Sequence, residues 1–477
     1  MTTARAESER RRAKTDRIRA QGVDPFPSFK LRDRSLVAEL VARHNPTEMR
    51  AGLYLEHRYR LSGRLIARRK NGGVVLLDLR DRSGTIRLIV NADADSATAT
   101  IGDADIGDIV TVVGHIYVTA RDKLCLEVES GSLLAKALQL PLTKGRNPNG
   151  RRRELELMAS AECRRLFVAR ATALMAVRDW MTRHDFVEVE TPILQRLAGG
   201  ALARPFVTHH NALNCRVSLR LSTELYLRRC SIGDMERVYE LGKCFRNEGI
   251  SRRHSPEFTM LEWYVAYSDY RDIAASAEQL VTHVASRVLG SLRVTYKGHV
   301  IDLEAPWRRL TLQEAIKERT GLDIFAASQP ELLAALPGSP TSSGSWADVV
   351  QKIYGSRVEP YLIQPTIIYD CPLDMHPCMK RHAGRSELAE SFDVVVGGVE
   401  ISSGGTALTD PDEQWQRFEA QRRRRDGTEP HPNDQELTTA LHYGAPPAAG
   451  AGMGIDRLLM VLLDRDSIRD VTLFPVT

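Results

Sequence analysis

At 477 residues, with 43% hydrophobic and 27% charged residues, the chain is too long for one ordinary domain of about 150 residues, and its composition excludes a chain disordered throughout. The net charge of +5 is mild for a nucleic-acid binder but permits an anionic partner. The opening MTTARAESERRRAKTDRIRAQG lacks the apolar core of a secretory leader, no apolar run approaches about 18 residues, and the seven cysteines form no C-x-x-C pair, so the expectation is a cytoplasmic protein with reduced thiols, no membrane span and no structural zinc.

Residues 1–58 read as a basic, helical N-terminal extension, broken at GVDPFPSF, where two prolines interrupt any helix. The Arg runs at 10–12, 151–153 and 422–425 read as solvated helix faces. Residues 59–140 change to short β runs: RLSGRLIAR, GGVVLLDLRD, GTIRLIVNAD, DIVTVVGHIYV and KLCLEVES. Five such strands with Gly and Asp turns fit a small closed barrel of the oligonucleotide-binding (OB) kind, either a binding platform or a barrel that only packs. The polar LTKGRNPNGRRRELE places a boundary near 140–150, and 141–477 reads as a long α+β domain with a helix at 163–185.

Three stretches of that domain carry chemistry. In RVYELGKCFRNEGISRRHSPEFTMLEWYVAYSDY a strand running to Glu248, a polar loop at 249–256 and a returning strand from Glu257 make an antiparallel hairpin. Alternation puts Arg246 and Glu248 on one face of the first strand, and Phe258, Glu262 and Tyr264 on one face of the second. Charges and aromatics mixed in this way suit a ligand better than bare solvent. In FDVVVGGVEI, pairing about Gly397-Gly398 sets Val395 opposite Glu400, so Asp393 and Glu400 become diagonal neighbours. Two such carboxylates repel unless a cation lies between them, and oxygen ligands beside a polyphosphate suit Mg2+. In GAGMGIDRLLMVLL, Gly450, Gly452 and Gly454 let a ligand lie against the backbone, and Arg457 at the start of an apolar helix can grip phosphate.

Together and in this order the three resemble the signature motifs of class II aminoacyl-tRNA synthetases, specifically the lysyl-tRNA synthetase family. FVEVETPIL, with Pro192, resembles the first motif, and GGALARPF, ELYLRR and FRNEGIS extend the likeness, which runs from about residue 10 to 477. Neither HIGH nor KMSKS occurs, which excludes the other synthetase class. The resemblance implies a mixed, mainly antiparallel sheet with flanking helices, an anticodon-binding type of barrel, and a homodimer with Pro192 at its interface. It also implies ATP-dependent activation of an amino acid and its transfer to tRNA, with ATP and Mg2+ required. Carried over by position, Arg246 would bind the α-phosphate and the substrate carboxylate, with Glu248 and His254 also at ATP. Phe258 would stack on adenine, Arg457 would clamp the γ-phosphate, Asp393 and Glu400 would hold Mg2+, and Gly200 and Glu224 would hold the α-amino group.

The chain departs from the family at the side-chain end. Lysyl enzymes there read close to E-I-x-N-x-[FY]-x-E-L-N-D, the aromatic covering the methylenes and the second Glu pairing the ε-ammonium. Here the places are Glu400, Ser403, Gly405 and Ala407. A larger, less acidic pocket follows, with a void where the ring stood, leaving Glu262 and Tyr264 as partners for an ammonium. Asp393 stands for the usual Glu and Ser222 for the usual Ala, whereas Gly452 stays lysyl-like. On the barrel, Leu76, Arg87 and Ser130 occupy the places of a Phe, a Gln and a Glu that meet the anticodon, so stacking and base-edge reading would be lost. Two function classes remain open: a synthetase charging tRNA with lysine or another amino acid, and an adenylate-forming ligase serving a protein or small-amine acceptor.

Overall fold

The computed structural model describes residues 2–44, 52, 54–91, 100–119, 124–140, 152–196, 199–201, 203–337, 344–424 and 435–476. The chain forms two compact units, Met1–Ala161 and Glu162–Thr477. The expected boundary near 140–150 falls largely on residues outside the described set, as do Arg151 and Arg425 of the Arg runs.

In the first unit, helices Thr2–Ala20 and Val37–Arg43 precede five strands: β1 (Tyr54–Asn71), β2 (Val74–Arg80), β3 (Thr85–Asn91), β4 (Ile109–Val118) and β5 (Leu124–Ala135). They close into a barrel in the order β1-β2-β3-β5-β4. Alternation decides the two faces: Val75, Leu77 and Leu79 of β2 and Ile86, Leu88 and Val90 of β3 fill the lumen, while Leu76, Asp78 and Arg87 face outward.

One Arg run is not a solvated face. Arg11 is 1% exposed, and its guanidinium donates to Glu7 and to the carbonyls of Ile106 and Ala137. The helix therefore seats on the barrel through buried charge, continued by Lys136, which lies 2.6 Å from Asp105 and 2.7 Å from Asp108. Burying a cation requires such partners, and charge count alone cannot reveal them.

The second unit is built on an eight-stranded sheet. Its strands in chain order are β6 (Val187–Glu188), a separate three-stranded sheet of β7 (Leu194–Gln195), β8 (Val207–His210) and β9 (Cys215–Leu219), then β10 (Arg237–Phe245) and β11 (Glu257–Ala266). A hairpin of β12 (Arg293–Tyr296) and β13 (His299–Asp302) precedes β14 (Arg308–Thr311), β15 (Thr366–Tyr369), β16 (Ser391–Val396), β17 (Val399–Thr406) and β18 (Ala448–Gly454). The large sheet runs β14-β15-β16-β17-β18-β11-β10-β6, antiparallel except at β14/β15 and β10/β6. This is the expected α+β architecture on a mixed, mainly antiparallel sheet.

Period-two alternation also divides this sheet. Leu261, Trp263 and Val265 of β11 point into the main core with Val394, Ile401 and Met453. Helices Tyr270–Leu289 and Ile455–Leu462 cover that face through residues such as Ala277, Val281, Val284, Leu458 and Leu459. Each fully buried aliphatic side chain contributes about 1.5–3 kcal/mol, so this face holds the sheet and leaves the other free to bind. Asp269 caps the longer helix, accepting from the amides of Arg271 and Asp272, and Gly290 ends it at φ 68°.

Two details of register correct the sequence reading. The first strand of the hairpin stops at Phe245, not Glu248. The Arg246 amide still donates to Pro256 at 2.9 Å, but that of Asn247 turns to the Arg204 carbonyl, so Arg246 and Glu248 belong to the loop beyond the strand. In the second hairpin, Gly397 and Gly398 take φ 63° and 69°, as a tight turn there requires, and Val395 does pair with Glu400. A bulge then shifts the register, so Ser403 rather than Ser402 stands opposite Asp393.

Candidate active site

The free face of the sheet forms the floor of a cavity of about 590 Å3. Three rows of residues cross β11 and β18, and two of them continue onto β17. Met260 pairs with Gly454, Glu262 with Gly452 and through it Ser403, and Tyr264 with Gly450 and through it Gly405. The glycines leave the floor low, so a ligand can lie against backbone between flanking side chains.

At one end stand Arg246, Glu248, His254, Phe258, Glu400 and Arg457. The Arg246 guanidinium carbon lies 5.2 Å from the centre of the Phe258 ring, and its Nε is buried without a partner among the described residues. A half-buried cation with a free donor is ready for an anionic ligand. Arg457 opens helix Ile455–Leu462, donates to the Glu400 carbonyl at 3.0 Å and stands 3.5 Å from its carboxylate. The neighbouring Asp456 accepts from the Thr259 amide at 2.7 Å and from Arg170, which fixes the helix start to β11. His254 is 3.1 Å from Arg457 through Nε2 and 2.8 Å from the Ser251 hydroxyl through Nδ1; burial, and then Arg457, push its pKa down, so it is neutral at physiological pH.

Glu400 reaches the cavity wall, whereas Asp393 lies buried behind it. Burial and the charge of Glu400 push the Asp393 carboxyl well above the usual carboxylate range. Glu359 is raised for the same two reasons. Such mutual repulsion fits a divalent cation beside Asp393 and Glu400, although among the described residues no cluster of three or more His, Cys, Asp or Glu is preassembled to hold one.

At the other end, Glu262 accepts from the Thr223 amide at 2.7 Å and its hydroxyl at 2.5 Å, and burial together with Glu224 raises its pKa to about 7. Glu224, in the first turn of helix Glu224–Ile232, is raised by burial, and its Oε1 has no partner among the described residues. Gly200 completes this corner at φ 79°, where a Cβ would lie 2.6 Å from the Ser222 hydroxyl. Ser403 and Gly452 line the same end.

Two expected pocket residues do not reach the cavity wall. Gly405 lies under Met379: a Cβ there would be 2.7 Å from the Met379 sulfur and 2.5 Å from the Glu390 carbonyl oxygen. Ala407 is 5% exposed and packs with Leu227, Val238 and Tyr264. The expected void is therefore filled. Met379 fills the space above Gly405, and residues 375–379 together with Phe418 and Gln421 line the cavity beside it. The sequence did not single these out: the segment around 376–379 has no period that would announce which way its side chains point, and Phe418 and Gln421, on helix Pro411–Arg424, face the cavity only because of how that helix packs.

On the barrel, Leu76 and Arg87 share the outer face, and Arg87 is already paired to Asp78 at 2.9 Å, whereas Ser130 lies on β5 opposite Val113. As the sequence reading expects, none of these three positions carries an aromatic ring.

Residues 148–477 match the model of tRNA synthetases class II (D, K and N), and residues 59–134 match that of the OB-fold nucleic acid binding domain. The first match covers well over half of the chain, so this protein belongs to the class II tRNA synthetases and is an aminoacyl-tRNA ligase. It is similar to the lysine–tRNA ligase of Moorella thermoacetica, 42% identical over 87% of this chain and 88% of that protein. It is also similar to that of Carboxydothermus hydrogenoformans, 39% identical over 87% and 88%, and to that of a Synechococcus strain, 38% identical over 98% of each.

Proposed function

We propose that this chain activates lysine with ATP and transfers it to tRNA. The observation that carries the reading is the pair of carboxylates raised by burial, Glu224 and Glu262, on the acyl side of the cavity, with Glu262 still within the field of Arg246. Two such acids are costly unless cations meet them, and a diamino acid brings two. The lysine–tRNA ligases similar to this chain span both of its domains, the barrel included, which supports tRNA and gives no support to a protein or small-amine acceptor.

In this reading Glu224 and the Gly200 corner take the α-ammonium, Glu262 with Tyr264 takes the side-chain ammonium, and Arg246 turns the carboxylate toward the α-phosphate. Phe258 stacks on the adenine, and Arg457 holds the γ-phosphate. The substrate carboxylate attacks the α-phosphorus and diphosphate leaves, so negative charge grows on phosphoryl oxygens. No general base is required; positioning and the two guanidinium groups lower the barrier. Asp393 and Glu400 would hold Mg2+, which neutralises phosphate charge when bound. The ribose hydroxyl at the tRNA end then displaces AMP from the acyl group held in the same place. We further infer a cytoplasmic homodimer with Pro192 at its interface, domain limits at 1–58, 59–140 and 141–477, and weak reading of the anticodon through Leu76, Arg87 and Ser130. A monomer by light scattering at micromolar concentration contradicts the dimer.

The test is ATP–diphosphate exchange screened over proteinogenic and unusual diamino acids, followed by charging of tRNA with labelled lysine. Lysine should support both. Exchange with no amino acid overturns the reading, and a clear preference for another acid overturns the choice of lysine.

A further inference from the structure

The structure assigns to Met379 a role in specificity: it is the end wall of the acyl pocket and limits how long a substrate side chain can be. This rests on the diamino-acid reading above.

Met379 is held over β17 by its neighbours. It bridges to Ala407, the Lys380 amide donates to Thr406 at 2.7 Å, the Leu408 amide donates to Cys378 at 2.9 Å, and Arg417 donates to the Met379 carbonyl. The side chain lines the cavity and occupies the room above Gly405, where a Cβ would meet its sulfur at 2.7 Å. Glycine at 405 and methionine at 379 are thus one arrangement: the strand gives up a side chain and the loop supplies it.

The consequence is a shorter pocket. Glu262 stands in the row of Gly452 and Ser403, and the next row, Tyr264 with Gly450 and Gly405, is the one Met379 covers. Beyond it Ala407 borders a separate void of about 10 Å3 beside Arg228, too small for a ligand group. A terminal ammonium therefore meets Glu262 one row before the thioether wall, and the Glu224 carboxylate, hydrogen-bonded by Tyr264 and Cys378, lies at that next row. The fitting substrate is a diamino acid no longer than lysine.

The measurement is amino-acid-dependent ATP–diphosphate exchange with ornithine, lysine and homolysine on the full chain, reading the lysine-to-homolysine ratio of kcat/KM. One methylene against an apolar wall is worth about tenfold or more. The unmodified protein should favour lysine by at least that factor, Met379→Ala should lower the ratio about tenfold, and Met379→Leu should keep it. A ratio unchanged in an active Met379→Ala protein overturns the wall. If Met379→Ala does not fold, Met379→Val is read instead, and an unchanged ratio there overturns it equally. Exchange with none of the three acids in the unmodified protein overturns the diamino-acid reading, a result separate from a failed ratio.

Discussion

The two ends of the cavity share strands β11, β17 and β18 but are assembled differently. At the arginine end, the groups that face the ligand come from the sheet and from elements tied directly to it: Phe258 on β11, Glu400 on β17, and Arg457 one residue past Asp456, which is bonded to β11. At the acyl end, the floor is sheet but the wall is an irregular loop, 375–379, with Met379 lying over Gly405. Phosphate chemistry needs fixed cations, which here sit on a loop and a helix anchored to the sheet, Arg246 through its amide to Pro256 and Arg457 through Asp456 to Thr259; side-chain selection needs only shape, and a loop can change shape without disturbing the sheet.

The largest expected effect lies at the arginine end. Arg457→Ala should lower kcat for exchange about 100- to 1,000-fold, because a preorganised cation on developing phosphate charge is lost. A loss below tenfold would mean that the phosphates are held elsewhere, and the contrast between a rigid and an adaptable end would fail.

At the acyl end, Glu262→Gln should raise the lysine KM about a hundredfold with a smaller change in kcat, as expected when one partner of a buried charge pair is removed. The same residue should give lysine binding a pH dependence. Only the ionised carboxylate attracts an ammonium, and its pKa stands at about 7 because of burial and Glu224. Lysine KM should therefore be level above pH 7 and rise as pH falls below it, and Glu262→Gln should flatten that rise. A KM independent of pH in the unmodified protein would place the ammonium elsewhere.

Restoring an acid at 407 tests whether that position belongs to the pocket. Ala407 is buried behind the Met379 wall, so Ala407→Glu should cost about 1–3 kcal/mol of stability by overpacking, read by urea unfolding, with no gain in lysine-dependent exchange. A tenfold fall in lysine KM would show instead that the acid reaches the substrate.

The smallest effect concerns the barrel. With Leu76 apolar and Arg87 occupied by Asp78, transcripts with substituted anticodons should be charged within about tenfold of the parent, whereas a hundredfold loss, about 2.7 kcal/mol, would show that other residues read the bases.

What could be read in advance followed the periodicity. The five barrel strands, the hairpin about Gly397-Gly398 and the shared face of Phe258, Glu262 and Tyr264 all follow from alternation and turn residues. The misjudged places were those where a contact distant in sequence decided the outcome. Arg11 stands in a run that reads as surface charge, yet its partners are Glu7 and the carbonyls of Ile106 and Ala137. Alternation extends the first hairpin strand to Glu248, but the strand ends at Phe245, where Asn247 bonds to the Arg204 carbonyl instead.

The sequence by itself determined the class of protein and the chemistry of the arginine end, since the motif residues there sit on, or directly beside, strands and a helix whose periods can be read locally. It also showed that the acyl end had changed, because glycine and alanine at 405 and 407 lack the groups a lysine pocket uses. Only the tertiary structure decided what the change amounts to. Position 405 is closed by Met379 and by the Glu390 carbonyl, 26 and 15 residues earlier in the chain, and no local pattern encodes which loop side chain will fill the space a glycine leaves.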